Sequence, residues 1–230
     1  MSRNALSDVI RRKARYFALA LVLTMATSMS GCGVVGRTSV KTVQLAIQGK
    51  PDVAPVAADV MANRYPQIKV SGPKGGAVLV LGNIDEGVQA WYSSERSIVF
   101  LRDGIVVATH GGTPEMRGMD IAGENPLRDL RNVRDGTTVQ RRYDVMPGYR
   151  YGMQVTGTLR VLGSEHVTIL GTARPLTHVR ERLRGPGWKR DNHYWVDPSN
   201  GFIWKSVQAI APDTSLEIVQ LKPYSPDLQR

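Results

Sequence analysis

The stretch NHYWVDPSNGFIWKS, from Asn192 to Ser206, gathers a histidine, an aspartate, a tyrosine and two tryptophans around a Pro-Ser-Asn-Gly turn. An aspartate that orients an imidazole beside aromatic faces has the composition of an acid–base site. The spacing says otherwise, because successive side chains of a strand point to opposite faces. His193, Trp195 and Asp197 share one face and Asn192, Tyr194 and Val196 the other. After the turn Phe202, Trp204 and Ser206 alternate with Ile203, Lys205 and Val207, so both arms carry the strand period of two. Pro198 presets φ, while Asn200 and Gly201 tolerate positive φ, and the segment reads as a structural β-hairpin.

Other chemistry-bearing residues are equally sparse. HGGT, His110 to Thr113, has the form of an esterase oxyanion loop, but no G-x-S-x-G nucleophile elbow accompanies it. His110, His166, His178 and His193 show no compact ligand spacing, so no metal and no cofactor is expected. GPKGG, Gly72 to Gly76, lacks the order that cradles phosphates and reads as a turn. No catalytic residue is assigned.

Cys32 is the sole cysteine. It follows a basic segment, MSRNALSDVIRRKAR, and an apolar run from Tyr16 to Met29, the layout of a secretory signal peptide. That run of about 14 residues is short against the ~20 needed to cross a bilayer. Met29, Ser30, Gly31 and Cys32 resemble a bacterial lipobox, with Met in place of the commoner Leu; small residues there admit the peptidase, and only a thiol can carry the thioether-linked diacylglycerol. Residues 1–31 therefore read as signal, 32–40 as a tether and 41–230 as one β-rich domain. With one cysteine no intrachain disulfide can form, so the domain must stand on its core. A thioether diacylglycerol plus an N-acyl chain passes the two-signal threshold for stable membrane anchoring.

The chain carries 30 basic and 20 acidic residues; five basic and one acidic precede Cys32, leaving 25 and 19, a mature charge of +6. Arg128, Arg131, Arg134, Arg141, Arg142 and Arg150 form one basic stretch and Arg174 to Arg190 another. An exported protein does not meet nucleic acid, so the competing readings are solvated strand faces or contact with an acidic glycan or lipid headgroups. Among the tryptophans, Trp195 and Trp204 are assigned to core packing. Trp188, in RGPGWKR, is the one expected to be exposed. Trp188, Arg141 and Arg142 together make the candidate ligand surface.

The elements that must position these residues are strands. AVLVLGNI, GVQAWYSS, SIVFLRDGIVVATH, TTVQRRYDV, YRYGMQVTGTLRVLG, EHVTILGTARPLTHVRERL and LEIVQLK are β-rich runs between turn residues, and VQLAI near the start is a further strand. Asp103-Gly104 predicts a two-residue type I′ hairpin. A short helix is expected within Pro55 to Arg64 and a second at PLRDLRNV, starting at Pro126. The expected fold is all-β: a curved, mainly antiparallel sheet, a half-barrel, with one or two short helices, its alternation broken by Gly where strands bend or bulge.

The lipobox at Cys32, Trp91-Tyr-Ser-Ser before a strand-Asp-Gly-strand hairpin, and Asn192 to Gln208 with Leu-Lys-Pro at Leu221 resemble, in this order, the YjbF/GfcB family of group 4 capsule lipoproteins. The sequence departs from the family pattern at GGTPEMRGMDI after the Asp-Gly hairpin. The resemblance implies an outer-membrane lipoprotein, its domain facing the periplasm, that serves capsule or exopolysaccharide export, with polysaccharide export proteins or an acidic glycan as partners and no enzymatic role. Gly33 after the cysteine agrees with outer-membrane sorting. The alternative is a half-barrel carrier that holds lipid or lipoprotein acyl chains.

Overall fold

The computed structural model describes residues 52–229. Cys32 with Met29, Ser30 and Gly31, the signal segment, the tether and the strand expected at VQLAI lie outside the described residues.

Turn chemistry builds the sheet hairpin by hairpin. Asp103 and Gly104 take φ of 53° and 79° and join β4 (Ile98–Arg102) to β5 (Ile105–His110), the positive pair that the Asp-Gly signal demands. GPKGG turns β1 (Gln67–Gly72) into β2 (Gly75–Asp85), with Gly72 opposite Gly75. The stretch that opened the sequence analysis is the hairpin of β10 (Trp188–Val196) and β11 (Ile203–Ala211). Its turn is closed by the Asp197 carboxylate, which accepts from the Ser199 N–H at 2.9 Å.

The other strands are β3 (Val88–Tyr92), β6 (Glu115–Ala122), β7 (Thr138–Met146), β8 (Arg150–Ile169), β9 (Thr172–Gly185) and β12 (Thr214–Lys222). Helical structure is confined to α1 (Ala57–Ala62), inside the expected window, and two 3₁₀ turns. The first, η1 (Pro126–Asp129), begins at the proline and is capped by Asn125, whose side chain accepts from Leu127 N–H at 3.0 Å. The second, η2 (Ser225–Gln229), follows β12.

All twelve strands belong to one antiparallel sheet ordered β5-β4-β3-β2-β1-β12-β11-β10-β9-β8-β7-β6. Each strand pairs with its sequence neighbour, except that β1 also pairs with β12 and that β5 and β6 share no ladder. The curl runs nearly to closure, further than a half-barrel. Side chains approach across the remaining seam, where Thr109 Oγ1 accepts from Met116 N–H at 2.9 Å and His110 Nδ1 lies 3.0 Å from Glu115 Oε1. Register shifts interrupt eight of the eleven strand pairings, and each adds local twist and bend.

Alternation gives the sheet two apolar faces. The inner face is one packed core to which every strand contributes, among them Trp91, Leu101, Tyr143, Leu159, Val179 and Tyr194, each 0–1% exposed. Full burial of such side chains is worth about 1.5–3 kcal/mol each. The outer face carries a second cluster, because β8 and β9 run past their neighbours as a long arm. The arm kinks where the register shifts between Val161 and Gly163, a glycine at φ 117°. Its Ile169 and Leu176 then pack against Trp204 on β11, Leu221 on β12 and Val60 in α1.

Candidate functional site

Arg141, Arg142 and Trp188 do not form a common surface. On β7 the alternation that buries Val139, Tyr143 and Val145 also buries Arg141, which is 3% exposed, and turns Arg142 outward to an ion pair with Asp120 at 2.9 Å. Trp188 is not a loop tip but the first residue of β10; it is buried and stacks on Tyr143 with ring centroids 4.3 Å apart. Of the three expected contacts only Arg142 faces solvent.

Arg141 instead centres a buried polar network in the barrel. Its Nε and Nη2 donate to Glu181 Oε1 and Oε2 at 2.8 and 2.6 Å, and Nη2 also donates to Tyr194 Oη at 3.0 Å. Glu181 Oε2 further accepts from Tyr194 O–H at 2.8 Å and Asn192 Nδ2 at 3.0 Å, and Asn192 Oδ1 accepts from Ala209 N–H at 2.7 Å. Burial works against the guanidinium's charge, yet Glu181 holds its pKa well above the ordinary value. Burial raises both nearby phenols, Tyr143 to about 12. The carboxylate is fitted into place: a Cβ at Gly157 would lie 2.1 Å from Glu181 Oε1. With its oxygens taken and its side chain 0% exposed, Glu181 is structural.

The structure also joins two histidines that sequence spacing keeps apart. Glu165 Oε1 lies 2.6 Å from His178 Nδ1, and His178 Nε2 lies 2.8 Å from His193 Nδ1. Glu165 Oε2 accepts from Trp195 Nε1 at 2.7 Å, and Trp195 stacks on His178 with centroids 4.5 Å apart. Glu165 belongs to the arm, while His178 on β9 still pairs with β10, which carries His193 and Trp195, so the bonds from Glu165 fasten arm to barrel wall. Counting outward from the Pro186-Gly187 turn places His178 opposite Trp195 and His193 opposite Arg180, which was the available sequence signal. Burial first, and the neighbouring His178 second, push the His193 pKa down, while Trp195 and His178 hydrogen bonds hold the Glu165 pKa low. Among the described residues no group of three or more His, Cys, Asp or Glu is arranged to hold a metal ion.

A cleft opens at one mouth of the barrel, where the Asp103-Gly104 turn, η1, the Asp197–Phe202 turn and η2 converge. Its volume is about 120 Å³, and its lining is mainly polar: Gln89, Gln220, Asn200, Asp103, Asp129, Asp227, Arg128 and Arg131 beside Phe202 and Ile203. Arg131 is committed to Asp129 Oδ1 and the Ser199 carbonyl, both at 3.0 Å, and Arg128 approaches Asp103 at 3.7 Å. None of these residues was singled out as a site from sequence, since strand ends and turns far apart in the chain assemble it.

Residues 40–221 match the family described as group 4 capsule polysaccharide lipoprotein gfcB, YjbF. The chain belongs to the YjbF family. Among solved structures, the hypothetical lipoprotein YmcC from Escherichia coli K12 superposes with a TM-score of 0.67 at 20% identity, covering 74% of this chain and 89% of that one. A putative lipoprotein from Parabacteroides distasonis aligns at 12% identity with a TM-score of 0.31, over 68% of this chain and 92% of that one. No curated protein matches. The YjbF match spans the whole sheet up to Leu221, including the β6 region where the sequence departs from the expected pattern, and the YmcC likeness shows the fold.

Proposed function

We propose that this YjbF-family chain is an outer-membrane lipoprotein, anchored through lipidated Cys32 with its domain in the periplasm, that assists export or assembly of a capsule or exopolysaccharide without itself catalysing a reaction. The family match over residues 40–221 carries the reading, since its description joins lipoprotein and capsule polysaccharide. The partners it calls for are polysaccharide export proteins or the glycan itself. Arg142 remains an exposed cation for an acidic glycan. The aromatic contact passes from Trp188 to Tyr149 and Tyr151, which are 75% and 58% exposed at the β7–β8 turn.

The acyl-chain carrier is disfavoured by one observation. A carrier needs a dry, concave and vacant lining of the order of 300–1,000 Å³. Here the inner face is filled by its own side chains, and the cleft at the mouth is small and polar.

Deleting the gene and measuring secreted polymer tests the function, with Cys32→Ser separating anchoring from folding. The expected results are reduced polymer yield or chain length in the deletion strain, and release of the Cys32→Ser protein from membranes. Normal polymer alongside mislocalised lipoproteins would transfer the assignment to the carrier, and a Cys32→Ser protein still fractionating with the outer membrane would overturn the anchor.

A further inference from the structure

Beside the kink of the arm, the outward positions of three paired strands are basic. The alternation that buries Val179, Glu181 and Leu183 on β9 turns Arg180, Arg182 and Arg184 to the outside, roughly 7 Å apart along the strand. Register sets Arg160 of β8 opposite Arg180 and Lys189 of β10 opposite Arg184, while Thr158 and Thr156 of β8 stand opposite Arg182 and Arg184. Among the described residues the carboxylates that ion-pair with these five cations are Asp135, 3.8 Å from Arg160, and Asp191, 3.9 Å from Arg184. Arg180, Arg182 and Lys189 have no such partner there. Glu165 lies to one side, held by His178 and Trp195. Like charges directly opposite across a ladder are destabilising, and Arg160 with Arg180 and Arg184 with Lys189 are two such pairs. Cations that guard a sheet edge would explain such a cost, but β8, β9 and β10 each have a partner strand on both sides.

We propose that this outward face of β8, β9 and β10 binds an acidic polysaccharide, its cations taking the carboxylates of a linear chain laid along β9; the proposal rests on the capsule-related reading above and gives its glycan contact a place. Charge is the first argument. Five cations against two exposed carboxylates leave a face of one sign, which draws an anionic polymer in preference to a neutral one, and guanidinium forks match carboxylates bidentately. The neutral positions are the second. Thr158, Thr156 and Gln140, whose Oε1 accepts from Thr156 Oγ1 at 3.0 Å, set hydroxyls and an amide beside the charges, able to donate to and accept from sugar hydroxyls. The third is what these rows omit. None carries an exposed large hydrophobic residue, whereas a protein interface has a charge-depleted, more apolar centre. One step further along β8 the same face continues through Gln154 to Arg142 on β7.

The test uses the full-length chain carrying Cys32→Ser, observed by ¹H–¹⁵N NMR during titration with polygalacturonate, neutral dextran and vesicles containing phosphatidylglycerol. The basic segment before Cys32 is common to every variant, so the position of the shifts and the differences between variants report the strand face. Polygalacturonate should give saturable shifts at Thr158, Arg182 and their row neighbours, and dextran none. Arg180→Gln with Arg182→Gln should weaken that binding at least about tenfold, the scale of lost charge-assisted hydrogen bonds. Arg117→Gln, on β6 and bonded to Glu115, should leave it unchanged. Because Arg180 faces Arg160, the double variant should unfold in urea at the same midpoint or a higher one, a result that a merely structural arginine would not give. Arg182→Gln alone, fully outward, gives a second reading if the double variant does not fold. Polygalacturonate binding no tighter than dextran, shifts confined to other strands, or undiminished binding by the double variant would each overturn the proposal. So would vesicle binding that the double variant loses while polygalacturonate binding persists, since the face would then belong to lipid headgroups. A deletion strain that loses polymer while the protein ignores polygalacturonate would remove this surface and leave the function. Polygalacturonate binding at these rows with unchanged polymer would do the reverse.

Discussion

Arg141 and Arg142 are neighbours in sequence and occupy opposite worlds, one among buried side chains and one in solvent. The difference was legible: Arg141 stands two residues from Val139 and from Tyr143, at strand period on the apolar face. What the local sequence did not contain is Glu181, forty residues on, which makes burial of a guanidinium tolerable. Trp188 is the same case, since alternation extended back from Val196, Tyr194 and Asn192 lands on it, and its stacking partner Tyr143 lies on another strand. A buried ion pair is better described by what happens when it is broken than by its net worth. Arg141→Met leaves an unpaired carboxylate in the core and should cost about 3–5 kcal/mol, whereas adding Glu181→Met should restore most of the loss. Urea unfolding of the single and double variants measures both; equal destabilisation of the two would show that the cost is packing and not charge.

Elements whose signals are local were read well. The Asp103-Gly104 turn, the Asp197–Phe202 hairpin and the Pro126 start of η1 each depend on a few adjacent residues. The β8–β9 arm was not, because its docking needs apolar partners from α1, β11 and β12 and a bridge from Glu165 through His178 to β10. That bridge makes a pH prediction. The His193 pKa is lowered in the folded protein, so the neutral imidazole is favoured there, while the unfolded chain takes up its proton near the usual value of 6.5. Stability is therefore complete above that value and declines as pH falls from it toward the lower folded value. Glu165 stays ionised through this window, its pKa being held below 4.5, and the nearby Asp191 and Arg180 act on His193 in opposite directions, Asp191 raising and Arg180 lowering its pKa. His193→Asn should flatten the decline in denaturation midpoint between pH 7 and pH 5. An unchanged slope would assign it to other groups.

At the scale of the molecule, composition and turn spacing were enough for a curved antiparallel sheet, but closure depends on which strand meets which across the whole chain. The sheet is a meander begun in its middle: β1 pairs with β2 on one side and with β12 on the other, while the free edges are β5 and β6. Removing Thr214–Arg230 should consequently abolish the fold as a unit, not fray one end. Loss of the β-sheet circular dichroism signal and rapid digestion across the domain would show this; a protease-resistant core of β1 to β11 would contradict it. A chain is made N-terminus first, so β1 is among the first strands delivered and must wait for almost the last one before both of its edges are covered. Completion of the sheet thus acts as a length check: a chain of this design that stops short is left with an open edge at its centre, a mark by which proteases can tell an unfinished molecule from a finished one.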